Sequence, residues 1–157
     1  MTYDSRPDTW AHIHEVQTQM EHVTNDLSHR ALVHDQSKLV EPELSIFDVF
    51  TPKLKTTTYM SPEYKRDMDE MRVALDHHYA ANSHHPQHYS DGIRGMSLLD
   101  LIEMVCDWIA ACKRHDDGNI YKSIEDNQAR FGYSDELKSI LLNTVEAMNA
   151  APALAEA

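Results

Sequence analysis

The chain is short of glycine, cysteine, basic residues and long apolar runs, and each shortage excludes something. Four glycines in 157 residues, almost no β-branched runs and no repeat or hairpin signal exclude a sandwich or barrel of short strands. Two cysteines, Cys106 and Cys112, make neither a disulfide framework nor a paired-cysteine zinc site, so a cytoplasmic location is expected. No apolar stretch approaches the roughly 20 residues of a membrane span. The opening residues 1–8 lack the apolar core of a signal peptide. Lys and Arg number 14 against 26 Asp and Glu, a net charge of -12. Such a surface repels nucleic-acid polymers and anionic membranes. The 41% hydrophobic content is enough for a packed core. Against these shortages stands one excess, 11 histidines.

Turn signals divide the chain into helices, so the expected fold is all-α, a compact bundle of about five to seven helices. One domain is expected over 9–149, with an N-terminal arm at 1–8 and a flexible tail at 150–157. The first helix is placed from 8 or 9 to 29, followed by short helices at 31–39 and 42–50 and a loop at 51–60. Ser61-Pro62-Glu63 combines an N-cap, a first-turn proline and an acid favoured by the helix dipole, opening a helix to 81. Residues 82–95, with Pro86, Gly92 and Gly95, read as an irregular loop. Ser97 with Asp100 forms a capping-box pattern for a helix over 97–115. A turn at 116–119 and helices at 120–130 and 134–149, the last capped by Ser134, complete the chain.

Helical periodicity then sorts the polar groups. The first helix has an apolar stripe of Trp10, Ile13, Val16, Met20, Val23 and Leu27. His12 borders that stripe, whereas His14, His22 and His29 point away from it. The apolar residues of 97–115 cover about 220° of the helical wheel, wide enough for a central helix, and Cys106 falls among them as an expected buried thiol. Asp100, Glu103 and Asp107 share the remaining sector. They form either a solvated face or an acidic seam towards a metal site, with Glu103 equally able to pair with a cation in the next layer.

His34-Asp35-Gln36-Ser37-Lys38 sets an imidazole beside a carboxylate, a pair able to share one divalent ion, with a lysine within reach of a bound phosphate. His77-His78 and His84-His85-Pro86-Gln87-His88 hold five of the 11 histidines in twelve residues, a density that points to metal or phosphate binding. His78 continues the inward face of Met71 and Leu75. Tyr59, Tyr64 and Tyr79 flank this region.

Taken in order, these segments resemble the HD-domain superfamily of metal-dependent phosphohydrolases: a histidine on the first helix, a His-Asp pair, further histidines, then a distant aspartate. The string His34-Asp35-Gln36-Ser37-Lys38, His77-His78 with Asn82 and His84–His88, and Leu98–Trp108 is closest to a small HD-like family of bacteria and their phages. The resemblance spans about residues 9–145. It implies an HD-like fold, a location in the bacterial or phage-infected host cytoplasm, and metal ligands His12, His34, Asp35 and Asp107, with His14 as the alternative first ligand. The interval from His12 to His34 requires a tight turn near Ser28 to Arg30.

The ion implied is Mn, Fe, Co, Mg, Ni or Zn, with a second ion open. The implied reaction is attack of metal-activated water on a small phosphorylated substrate, most naturally a nucleotide. In that reading Asp35 and Lys38 act in catalysis, with His78 or His85 binding a second ion or protonating the leaving oxygen. Lys38, Asn82, His84, His88, Arg114 and Arg130 contact the substrate. Two other readings stand beside it: a non-catalytic protein that binds a nucleotide or partner through a retained metal site, and an HD-type di-iron oxygenase. A homodimer is compatible with a bundle of this size, without a surface being singled out.

Overall fold

A computed structural model describes residues 3–54, 57, 61–114 and 118–150. Parts of the expected 51–60 loop and 116–119 turn, Tyr59, His115 and nearly all of the expected tail lie outside them. The fold is all-α. Among the described residues seven helices run in the order α1 (Arg6–Val33), α2 (Glu43–Leu54), α3 (Pro62–Glu70), α4 (Arg72–Ala81), α5 (Leu98–Cys112), α6 (Ile120–Phe131) and α7 (Asp135–Ala150). Short 3₁₀ turns occur at Gln36–Leu39, Pro86–His88 and Gly92–Gly95.

The caps read from sequence are present. Ser61 Oγ accepts from the Tyr64 amide ahead of Pro62. Ser97 and Asp100 close a reciprocal capping box on α5, which satisfies two amides a helix start otherwise leaves open. Ser134 Oγ accepts from the Leu137 amide at the start of α7. Gly132, at φ 68°, ends α6 in the left-handed conformation that glycine adopts without steric cost and turns the chain into α7.

One core joins α5, α6 and α7 through Val105, Ile124, Tyr133, Leu141 and Val145. Trp108 and Phe131 stack at its edge, with ring planes 6° apart. The Tyr133 hydroxyl donates to the Ile124 carbonyl, so the ring is buried with its polar end satisfied. On the other side α2 packs against α4, burying Phe50, Met71 and Ala74. The final turns of α1 lie on α5, and residues 82–96 run between the two groups.

Four expectations need correction. α1 begins at Arg6, inside the expected arm, and continues without a turn through Ser28-His29-Arg30 to Val33, absorbing the start of the expected 31–39 helix. No glycine or proline interrupts that run, and Arg30 is anchored to α5. The expected helix 61–81 is broken at Met71 into α3 and α4. The apolar stripe of α1 is largely exposed, because the helix projects beyond the bundle and buries no residue. On α5, Leu98, Ile102 and Cys106 are exposed. The helix is central on two sides, against α1 and α6, and its third side meets solvent.

Ile124 has no exposed surface, so Ile124→Ala is expected to lower the free energy of unfolding by about 3 kcal/mol through lost burial and the cavity left. Ile140→Ala, at a position 57% exposed, is expected to change it by less than about 0.5 kcal/mol. Urea titrations of the two variants check the contrast.

Candidate metal centre

The site begins where α1 stops. His34 leaves the helix at φ -49°, ψ 127°, and Asp35 follows at φ 57°, ψ 12°. A left-handed conformation is costly for most side chains and tolerated best by asparagine and aspartate. This reversal directs both side chains inward, beneath the 3₁₀ turn that carries Lys38. Opposite them stand His78 on α4, His84 and His85 after it, and Asp107 on α5.

The imidazole Nε2 atoms of His34, His78 and His84 face the Asp35 carboxylate. His78 Nε2 lies 3.3 Å and His84 Nε2 3.6 Å from Asp35 Oδ1, and His34 Nε2 lies 3.6 Å from Oδ2. His85 Nε2 is 2.8 Å from His78 Nε2, and Asp107 Oδ1 is 3.7 Å from His34 Nε2. Three donor sets each gather within 4.8 Å: Asp35, His78, His84 and His85; His34, Asp35 and Asp107; and His34, His84 and Glu103.

The outer nitrogens are held by two further carboxylates. Glu43, fully buried, accepts from His77 Nδ1 at 2.7 Å and His78 Nδ1 at 2.9 Å. Glu103 Oε1 lies 2.9 Å from His34 Nδ1 and 3.1 Å from His84 Nδ1. With the proton on Nδ1, Nε2 of each ring is turned to the centre, that of His84 unpartnered and that of His78 meeting His85 Nε2, the carboxylate–histidine arrangement that orients metal-binding imidazoles. Among the described residues two buried side-chain atoms lack any hydrogen-bond partner, Asp35 Oδ1 and His84 Nε2. A buried polar atom without a partner costs free energy, and here both orphans face the same point. Nitrogen and carboxylate donors with open lone pairs fit a borderline divalent cation.

The charges follow the same geometry. Burial opposes ionisation of Asp35, but the Lys38 ammonium 2.5 Å from Oδ2 holds its carboxyl below the usual range. The Asp107 carboxylate, opposed by burial and helped by Glu103, raises His34 to about 9. Burial lowers His78 and His84, and burial beside those two rings takes His85 down to about 3. At neutral pH three of the rings are therefore neutral donors, and His34 carries a proton that a metal must displace.

A second layer supports this one. Arg30 Nη1 donates to Asp100 at 2.8 Å and Glu103 at 3.0 Å. Asp100 also accepts from Ser83, Tyr89 and Ser97. Burial works against its charge, but the Ser97 and Ser83 hydroxyls lead a set of donors that keep it well below the normal carboxylate range. All three acids of the α5 sector thus face inward. A cleft of about 390 Å³ opens beside this layer, lined by His29, Arg30, His34, Ser37, Asn82, Ser83 and His84 among others.

Of the expected residues, His34, Asp35, Lys38, His78, His85 and Asp107 come together, and His84, which also lines the cleft, lies among them. Asn82 lines the cleft, its amide donating to Ser37 Oγ. His12 and its alternative His14 do not reach the centre: both are exposed, and an unbroken helix sets His12 roughly 33 Å from His34. His88 is exposed and bonded to the Tyr79 carbonyl. Arg114 is exposed two turns beyond Asp107, and Arg130 lies over the Phe131 ring at 4.7 Å. Tyr79 packs its ring 5.1 Å from His85. Sequence reasoning missed Glu43 and Arg30, since nothing local distinguishes an acid near a helix start or an arginine near a helix end from surface residues. The adjacent His77-His78 pair was the available signal that a carboxylate would be needed.

Divalent-metal binding at neutral pH is expected to release about one proton, from His34, and affinity is expected to rise about tenfold per pH unit until pH about 9. Calorimetry in buffers of different ionisation enthalpy measures the proton count; a pH-independent affinity between 7 and 9 would remove His34 from the ligand set. Glu43→Gln, which leaves the inner donors in place, is expected to weaken metal binding roughly 10–100-fold with the helical circular dichroism retained.

No curated protein and no solved structure matches the chain. Residues 1–149 match the model of a family of unknown function, DUF5662. The match takes in every helix of the bundle except the last residue of α7 and all the residues of the candidate centre, and the chain belongs to that family.

Proposed function

We propose that the protein is a metal-dependent phosphohydrolase acting on a small phosphorylated substrate, with a nucleotide as the favoured class. The observation that carries the reading is the convergence of imidazole Nε2 atoms on Asp35, with two buried donors left unpartnered and the outer nitrogens tied to Glu43 and Glu103. His34, Asp35 and Asp107, with His78, His84 and His85 on the other side of Asp35, would hold one or two divalent ions. Bound there, such an ion lowers the pKa of a water ligand and polarises a phosphoryl oxygen.

The chain's own residues supply the rest. Lys38 is the cation nearest the carboxylates and would neutralise charge on phosphoryl oxygens. The adjoining cleft is in the size range of small-molecule sites, and Ser37, Asn82 and Ser83 offer it hydrogen-bonding groups. His85, held neutral by burial, suits a ligand better than the donor of a proton to the leaving oxygen. The net charge of -12 favours a small anion drawn to a local cationic spot over a polymer. The resemblance of the His34–Lys38 string and its partners to HD phosphohydrolases points the same way.

A second reading rests on Asp35 itself. Its two oxygens face different donor sets, as a bridging carboxylate of a two-metal centre would, which keeps a di-iron oxygenase open.

Elemental analysis and a phosphate-release panel of nucleotides and simple phosphate esters test the proposal together. The wild type is expected to carry transition metal and to release phosphate with at least one substrate. His34→Ala/Asp35→Ala is expected to lose both with its helicity intact. Metal retention by that variant would sink the site, while metal-loaded wild type with oxygen-dependent turnover and no hydrolysis would favour the second reading.

A further inference from the structure

The N-terminal half of α1 takes no part in the metal centre. The helix spans roughly 42 Å, and only towards its C-terminal end does it meet the bundle, at Leu27 and Arg30. Ile13, Val16, Met20, Val23 and Leu27 follow one another at alternating intervals of three and four residues, the a and d positions of a heptad seam. The first four are exposed, Met20 to 65%, and Trp10 beside them to 68%. No described residue covers them. A soluble chain seldom leaves a contiguous apolar stripe of this length to water.

We propose that this face is a homodimer interface, covered by α1 of a second copy running antiparallel. Area favours a second copy. Trp10, Ile13, Val16, Met20 and Val23 expose on the order of 500 Å² per chain, so complete coverage of these residues in a pair removes about 1,000 Å², the lower end of the range for a specific interface, to which flanking residues add.

Register supports it. In an antiparallel pair Ile13 layers against the partner's Val23 and Val16 against the partner's Met20, and the two-fold axis repeats both layers, with the half-buried Leu27 opposite the partner's Thr9. The flanks then match: Gln17 and Gln19 each meet their own equivalents, Trp10 covers the partner's Thr24, and His12 meets the partner's Asp26. No like charges meet at these flanking positions; at the ends of the register Arg6 falls opposite the partner's Arg30, whose guanidinium is taken up by Asp100 and Glu103. Glu15 and Glu21 lie outside the seam.

Orientation follows from the bundle. The seam continues directly into Arg30, which packs on α5. A parallel partner would drive the two bundles into the same space, whereas an antiparallel one sets them at opposite ends.

Light scattering coupled to gel filtration tests the surface. The wild type is expected at twice the chain mass, and Met20→Glu at the chain mass with unchanged circular dichroism, since Met20 makes no buried contact within the chain. A monomeric wild type across a concentration series, or a dimeric Met20→Glu, overturns the proposal. The register is tested in a Cys106→Ser/Cys112→Ser background. Ile13→Cys mixed with Val23→Cys is expected to form a disulfide-linked dimer that neither forms alone; self-linking of either variant overturns the antiparallel arrangement.

Discussion

The Glu103 carboxylate is the tie on which the rest of the centre depends. One oxygen accepts from His34 on the strained exit of α1 and lies 3.1 Å from His84 Nδ1 on the segment after α4, and the other accepts from Arg30. Two parts of the chain far apart in sequence, the end of α1 at 30–34 and His84, are thereby referred to a single point on α5. Arg30 in turn answers Asp100, whose remaining lone pairs are taken by Ser83, Tyr89 and the Ser97 cap. The capping box that starts α5 is therefore continuous, through hydrogen bonds, with the groups that orient the histidines.

This arrangement concentrates charge that the chain otherwise spreads over its surface. Five acidic side chains, Asp35, Glu43, Asp100, Glu103 and Asp107, are drawn inward, and each is matched by imidazoles, Lys38 or Arg30. Removing carboxylates from water is tolerable only with that pairing. The match fails at one place, between Asp35 Oδ1 and His84 Nε2, and a shortfall of positive charge beside open lone pairs is what a cation would relieve. The left-handed backbone at Asp35 belongs to the same economy, as strain held at the one residue whose two oxygens serve both donor sets.

Helix α1 does two unrelated things along one line of side chains. Its last turns, from Leu27 through Arg30 to His34, are part of the bundle and deliver the His-Asp pair. Its first turns carry an equally regular apolar line that no described residue buries. The periodicity is continuous across the boundary, so it alone does not reveal where packing within the chain ends.

Much of this was legible in the sequence. Periodicity, scarce glycine and the Ser61, Ser97 and Ser134 caps determined an all-α bundle and most helix starts, because these depend on neighbours within a turn or two. The His34-Asp35 pair, the dense histidines after position 77 and the acid sector of α5 were visible as residue types at a spacing. The tertiary structure alone decided which way that acid sector faced, that Glu43 and Arg30 belong to the site, and that His84 rather than His12 completes the donor set. The reason is physical: a helix pattern records which residues share a face, but whether a neighbour covers that face depends on packing between segments 35 to 70 positions apart. His12 and Met20 lie on regular helical positions like those of Arg30 and His34, and only the end of the bundle separates the residues that met solvent from those that built the centre.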